Sequence, residues 1–389
     1  MARLFLNKNL LVIFSITLIS IMGVASLTPA FPGIAKAFNI TPKEVGLLIT
    51  AFTLPGVFLT PVMGILADRF GRKKVLVPSL VLFAIAGTSC FFIHDFTTMV
   101  ILRFFQGCGA ASLGSINLTL IGDIFSGNDR NSAMGFNASV LSVGTASYPI
   151  IGGILASIAW YFPFILPSLG ILVALFVMFI LNNPEPKAEQ SLMEYFIKTF
   201  ETMKNIKLIG LFLISLLTFI ILYGPYLTYL PFIIGNSFHQ PPYIIGIIMS
   251  CASFASLSIS SQMGRLSKRF SGRSMIITST SLYFLSMICI PFIQNVWLLI
   301  LPALLYGFAQ GTNLPSIQSM LAGLAPMNQR AAIMSVNGTI FRLGQTIGPL
   351  IIVPVYSIWG IHGAYNLGGI MAIFMLAIAV VFLRKRVSE

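Results

Sequence analysis

The chain has 389 residues, of which 57% are apolar and only 8% charged, and its formal net charge is +13. That is more hydrophobic surface than a water-soluble domain can hide, so lipid is the expected solvent. A cationic surplus of this size would suit nucleic acid in a soluble protein; here no nucleic-acid partner is expected, because the cations cluster between membrane-length runs, where they set orientation.

Twelve apolar stretches long enough to cross a bilayer begin near residues 10, 44, 75, 97, 133, 160, 208, 243, 274, 296, 331 and 362. Backbone groups in hydrocarbon must bond within their own segment, which selects helices and predicts an all-α membrane protein. With the N-terminus inside, nineteen of the 23 Lys and Arg fall on inner loops and tails, while Lys36 and Lys43 lie outside and Arg103 and Arg342 within helices. That bias places both termini in the cytoplasm and the protein in the plasma (cytoplasmic) membrane. The first run follows Arg3 and Lys8 like a signal peptide, but it is too long for one and is read as the first helix.

The first helix offers only Ser15, Thr17, Ser20, Ser26 and Thr28 as polar groups, and Thr28-Pro29 interrupts it. At the inner end of the second helix stands Gly64-Ile-Leu-Ala-Asp68-Arg69-Phe-Gly71-Arg72-Lys73-Lys74. This run resembles the loop motif of the major facilitator superfamily, Gly-x-x-x-Asp-Arg-x-Gly-Arg-Arg/Lys, and the likeness in helix count and repeat covers essentially the whole chain. Physically, Gly64 is expected to permit close helix contact and Gly71 a tight turn, while Arg72 has Asp68 and Asp123 within prospective reach. By the resemblance, Asp68 faces the N-terminus of the eleventh helix, whose dipole favours an anion. Gly64, Asp68, Arg69, Gly71, Arg72 and Asp123 are thus the expected gating residues; the alternative is that Arg69, Arg72, Lys73 and Lys74 merely hold topology.

In the fourth helix, Arg103-Phe-Phe-Gln106-Gly107 resembles a motif of the superfamily's proton-linked exporters, which implies a part for Arg103, with Asp68 and Asp123, in proton coupling. Snorkelling of Arg103 to the membrane surface is the alternative. In the fifth helix, Gly144-Thr-Ala-Ser-Tyr148-Pro149-Ile-Ile-Gly152-Gly153 resembles the antiporter, or export, motif Gly-Pro-x-x-Gly-Gly, with Tyr148 in place of the first glycine. Pro149, Gly152 and Gly153 then describe a kinked, glycine-faced helix; generic packing accounts for them equally.

Residues 182–206 are the longest polar break and read as the linker between residues 1–181 and 207–389, each a six-helix bundle; from Ser191 onward the spacing predicts an amphipathic surface helix, or else a plain tether. Beyond it the first half repeats. Gly64, Arg69, Phe70, Gly107, Arg130, Met134, Asn137, Gly144 and Pro149 recur two hundred residues on as Gly264, Arg269, Phe270, Gly307, Arg330, Met334, Asn337, Gly344 and Pro349. The expected fold is therefore twelve transmembrane helices in two six-helix bundles related by a pseudo-twofold axis. The second copy carries Lys268 where the first has Asp68, so the gating latch is expected on one side only. Gly224-Pro225 interrupts the seventh helix as Thr28-Pro29 does the first.

Asn117, Asn137, Tyr226, Gln310, Asn313 and Asn337 lie at mid-span and are candidates for the wall of a substrate cavity or for interhelical hydrogen bonds. Arg342, about 16 Å along the eleventh helix at 1.5 Å per residue, has no acid at mid-span to pair with. Water and amides are expected around it, or an anionic substrate group. Cys90, Cys108, Cys251 and Cys289 have no paired spacing, and His94, His239 and His362 no ligand spacing, so neither disulfide, metal nor cofactor is expected. No nucleophile stands beside a base and no nucleotide loop is visible, which argues against an enzyme.

These features predict a secondary active transporter working by alternating access, a multidrug or metabolite exporter that exchanges a small amphiphilic neutral or anionic compound for protons and functions as a monomer. A first helix without an acid disfavours cationic drugs. A uniporter or importer of an organic anion is the nearest alternative, and a non-transporting membrane sensor or scaffold one of another class.

Overall fold

The structure, a computed structural model, describes residues 7–183, 205–326 and 329–383, the side chains at 131, 331 and 332 excepted. Among the described residues all regular elements are helical. Ten spans follow in order: α1 Lys8–Phe38, α2 Pro42–Phe70, α3 Arg72–Phe92, α4 Phe96–Ile124, α5 Gly127–Ile158, α6 Phe162–Phe179, α7 Ile206–Ser237, α8 Pro242–Ser260, α9 Gly272–Phe292 and α10 Val296–Leu324. The last helix, Arg330–Phe382, runs 53 residues with one non-helical residue, Gly360, at φ 60° and ψ −150°. At 1.5 Å per residue it would extend about 80 Å, more than twice a hydrocarbon core of roughly 30 Å. Gly360 therefore divides it into α11 (330–359) and α12 (361–382), and the protein is an integral membrane protein with twelve spans among the described residues.

Local sequence chemistry sets the helix ends. The Asn7 side chain accepts from the N–H of Asn9 at 2.9 Å and caps α1. Asp95 caps α4 by accepting from the Thr98 N–H at 2.7 Å. Hydrogen bonds from Thr98, side chain first and backbone second, hold the Asp95 carboxyl below the usual carboxylate range. Gly71 alone separates α2 from α3, at φ 101°, in the left-handed region a side chain disfavours. The breaks expected in α1 and α7 take different forms: a 3-10 turn at Thr28–Ala30 and wide π turns at Leu222–Tyr229 and Ile233–Ser237. Pro225 and Pro231 bring no N–H to the helix ladder, and the Thr228 hydroxyl bonds the Tyr223 carbonyl five residues back at 2.7 Å.

Two compact units result. The first comprises the described residues of 1–189 with His239–Ile247; the second comprises those of 190–238 and 248–389. The start of α8 thus packs with the first unit, whereas the sequence reading assigned all of 207–389 to one bundle. The amphipathic helix expected from Ser191 lies, up to residue 204, outside the described residues.

Within each unit, glycines let helices touch backbone to backbone. A Cβ on Gly107 of α4 would lie 2.1 Å from the Phe52 carbonyl oxygen of α2, and a Cβ on Gly307 of α10 would lie 2.1 Å from the Ala252 oxygen of α8. Gly152 of α5 is closer still, 1.8 Å from the Ser26 oxygen by the same measure. Lipid supplies no hydrophobic drive between helices, so such contacts supply the packing. Gly114 and Gly64 make no such contact: a Cβ on either would meet nothing within 4 Å. The close contact expected of Gly64 is not seen in this structure.

Candidate functional site

In the first unit the predicted gating residues converge. The left-handed turn at Gly71 aims Arg72 back at α2, where its guanidinium pairs with Asp68 one turn away. Its Nε also donates to Asp123 Oδ2 of α4 at 3.1 Å. Sequence left open which acid Arg72 would choose; it takes both. Arg72 is buried, while the Asp68 side chain is 44% exposed. One cation thus bridges two acids on two helices, and Asp68 is the member open to water. Arg69 is exposed and stands 5.7 Å over the Phe70 ring. Lys73 Nζ reaches the Met178 carbonyl of α6 at 3.5 Å, near the limit of a hydrogen bond. Its counterpart Arg273 bonds the last carbonyls of α12, Ala379 at 3.4 Å and Val380 at 3.0 Å. Cations at helix C-termini complement the dipole. Their identical offset was visible in the sequence, but the partners were not.

Arg103 is 1% exposed, which rules out snorkelling. Its Nε donates to the Leu48 carbonyl at 3.3 Å, its Nη1 donates to Gln106 Oε1 at 2.6 Å, and its carbon lies 4.3 Å over the Phe52 ring. Nearer mid-span, three polar residues link α1, α4 and α5: the Asn117 amide donates to the Thr17 hydroxyl, which donates to the Asn137 carbonyl oxygen. Asn117 and Asn137 are buried in helix packing, the second of the two readings sequence allowed.

The second unit repeats the theme with different members. Asn313 donates to the Thr218 hydroxyl at 2.7 Å and accepts from Ser279 at 3.2 Å, and Asn313 and Asn337 are both buried. The π turn of α7 turns Tyr226 inward to stack on Tyr306 of α10, ring centroids 4.0 Å apart. Tyr283 meets Tyr306 edge-on at 5.2 Å and donates to Gln310. Sequence reasoning missed Tyr283, Tyr306 and Gln106, whose aromatic or amide character only mattered once helix faces were known. Arg342 is half-buried, beside Tyr223, with Nη1 donating to Gln345 Oε1 at 3.4 Å. Of the cavity candidates, then, Arg342 and Gln310 alone are partly exposed.

The predicted antiporter residues of α5 lie against the start of α8, inside the first unit. A Cβ on Gly246 would meet the Pro149 oxygen at 2.2 Å, one on Gly153 would meet the Pro242 oxygen at 2.6 Å, and Ser157 accepts from the Tyr243 N–H at 3.2 Å.

The chain matches the family model described as Major Facilitator Superfamily twice, over residues 13–241 and 211–389. It is 25% identical to the bacillibactin exporter of Bacillus subtilis (strain 168), over 90% of this chain and 89% of that one. It is also 25% identical to the class H tetracycline resistance protein of Pasteurella multocida, over 90% of each chain. The fold is similar to that of the nucleoside transporter NupG, with a TM-score of 0.75 at 17% identity and 98% of each chain covered. The paired family match, the membrane-length helices and the agreement in fold along nearly the whole length establish that this chain belongs to the Major Facilitator Superfamily and is a membrane transporter, not an enzyme.

Proposed function

We propose that the chain is a secondary transporter of the cytoplasmic membrane, with both termini in the cytoplasm, that opens alternately to either side and exports a small amphiphilic neutral or anionic compound in exchange for protons. It acts as a monomer. The observation that carries the substrate class is Arg342: a half-buried guanidinium at mid-span that donates to the amide oxygen of Gln345 and forms no ion pair among the described residues. A cation held there at low dielectric attracts anions and repels cationic drugs. The direction rests on the similarity to an exporter and a resistance protein and on Pro149, Gly152 and Gly153. Asp68, Arg72 and Asp123 are the gate, with Gly64, Arg69 and Gly71 shaping its turn; Asp68, being exposed, exchanges protons with water, and Arg103 supports that coupling.

The test is uptake of labelled compounds into proteoliposomes of the purified protein with a pH gradient imposed and then collapsed. Exchange predicts accumulation that follows the gradient and vanishes with it. Flux indifferent to the gradient would reassign the chain as a uniporter. In the same vesicles Arg342→Ala should depress transport of an anionic substrate at least tenfold while sparing a neutral one; equal losses for both would remove the anion reading. Cysteine accessibility in the Asp68→Asn variant should shift relative to the parent, and unchanged labelling would refute the gate.

A further inference from the structure

Arg103 is the largest fully buried side chain among the described residues, and the groups it bonds are all neutral. The Leu48 carbonyl and the Gln106 amide oxygen take two of its N–H groups, and the Phe52 ring covers one face. Its Nη2, buried, finds no acceptor among the described residues. Neither does Nε2 of Gln106, a side chain that is itself 0% exposed. The amide is not free to turn over, because its oxygen is held by Arg103 at 2.6 Å, so Nε2 necessarily presents hydrogens. That nitrogen points to the last turns of α3, where a Cβ on Gly87 would lie 2.4 Å away. On that turn the Thr88 hydroxyl is also buried and unbonded, and Cys90, beside Arg103, is a neutral thiol donating to the Ala86 carbonyl at 3.5 Å.

A charged donor and a neutral donor on two side chains joined by a hydrogen bond are therefore buried on α4, neither bonded to an acceptor and neither paired with an acid among the described residues. A water molecule could accept from both donors but would leave the charge unmatched, and a buried guanidinium without a counter-charge is strongly unfavourable. An anion satisfies both demands, since N–H groups of this kind are what bind it. With Arg103 1% exposed, the ion must be small.

We propose that Arg103 Nη2 and Gln106 Nε2 hold a monovalent inorganic anion of the halide class, enclosed within the first unit. The site is a structural counter-ion site, and it stands apart from the transport reading because halide dependence of folding needs no transported substrate. The second unit has no equivalent: Ala303 and Tyr306 occupy the positions two hundred residues on.

The purified full chain, dialysed exhaustively into gluconate, is titrated with chloride and with bromide while its melting temperature is followed. The site predicts a saturable rise with both halides and none with added gluconate, since binding to the folded state raises stability. A melting temperature independent of halide would overturn it. Gln106→Glu places a carboxylate where the anion sits, so this variant should lose the halide response; a variant that answers halide as the parent does would also overturn the assignment. If that variant does not fold, bromide anomalous scattering from the parent decides: a peak beside Arg103 Nη2 supports the site, and ordered water alone there refutes it.

Discussion

The two units share a scaffold and differ in what it carries. A Cβ added to Gly107 or Gly307 would lie at the same 2.1 Å from the carbonyl oxygen of Phe52 or Ala252, and the Asn-to-Thr hydrogen bond between α4 and α1 recurs between α10 and α7. Yet the ion-pair cluster and the buried arginine of the first unit have lost or reversed their charge in the second: Asp68 becomes Lys268, Arg72 becomes Gly272, Asp123 becomes Gly323 and Arg103 becomes Ala303, while the loop cations Arg69, Lys73 and Arg130 remain cations as Arg269, Arg273 and Arg330. In exchange the second unit has buried phenols and Arg342, whose counterpart is Ser142. Duplication thus kept the backbone contact at Gly107 and Gly307, which tolerates no atom more, and freed these polar positions to specialise.

That contrast can be broken at its strongest point first. Gly107→Val and Gly307→Val should each cost about 3 kcal/mol or more by forcing a branched side chain into a backbone carbonyl, with melting temperatures lowered alike; a large effect in one unit alone would end the claim of a shared scaffold. Next, Arg72→Ala strands two acids and should cost about 2 kcal/mol, discounted for the exposure of Asp68. Arg273→Ala gives up only bonds to carbonyls, about 1 kcal/mol, so chemical denaturation of the two variants should rank in that order. Thr17→Val unseats Asn117 and Asn137 together and should cost about 1 kcal/mol, against about 0.6 for Thr218→Val, near the average for hydrogen bonds inside membranes. Last, Gly64→Ala should leave the melting temperature unchanged or raise it slightly, since a helical glycine with open space for a Cβ gains roughly 0.5–1 kcal/mol on becoming alanine. A marked loss of stability there would show that α2 is crowded after all.

The architecture was almost wholly legible in the sequence because span length, the positive bias of one set of loops and a two-hundred-residue repeat are each imposed by the bilayer. Breaks at Pro29 and Pro225 were legible too, but not their form, since whether proline yields a 3-10 or a π turn depends on what the helix packs against. The Asp68, Arg72 and Asp123 cluster followed from motif and depth. Asn117, Asn313 and Tyr226 could be placed at mid-span but not on a face, so sequence left them equally fit for a cavity or a core, and the core claimed them. Gln106 escaped notice for a related reason: one polar residue beside an arginine means little until burial shows that nothing else is there to share the charge.

Gly360 joins α11 to α12 with no loop at all, in a backbone state that only glycine adopts readily. A corner of one residue has no slack. The two helices can tilt together but cannot be drawn apart at that end, and a tag, label or protease site spliced in there would be reached only by unravelling helix, which makes this corner the wrong handle for mapping the protein's topology.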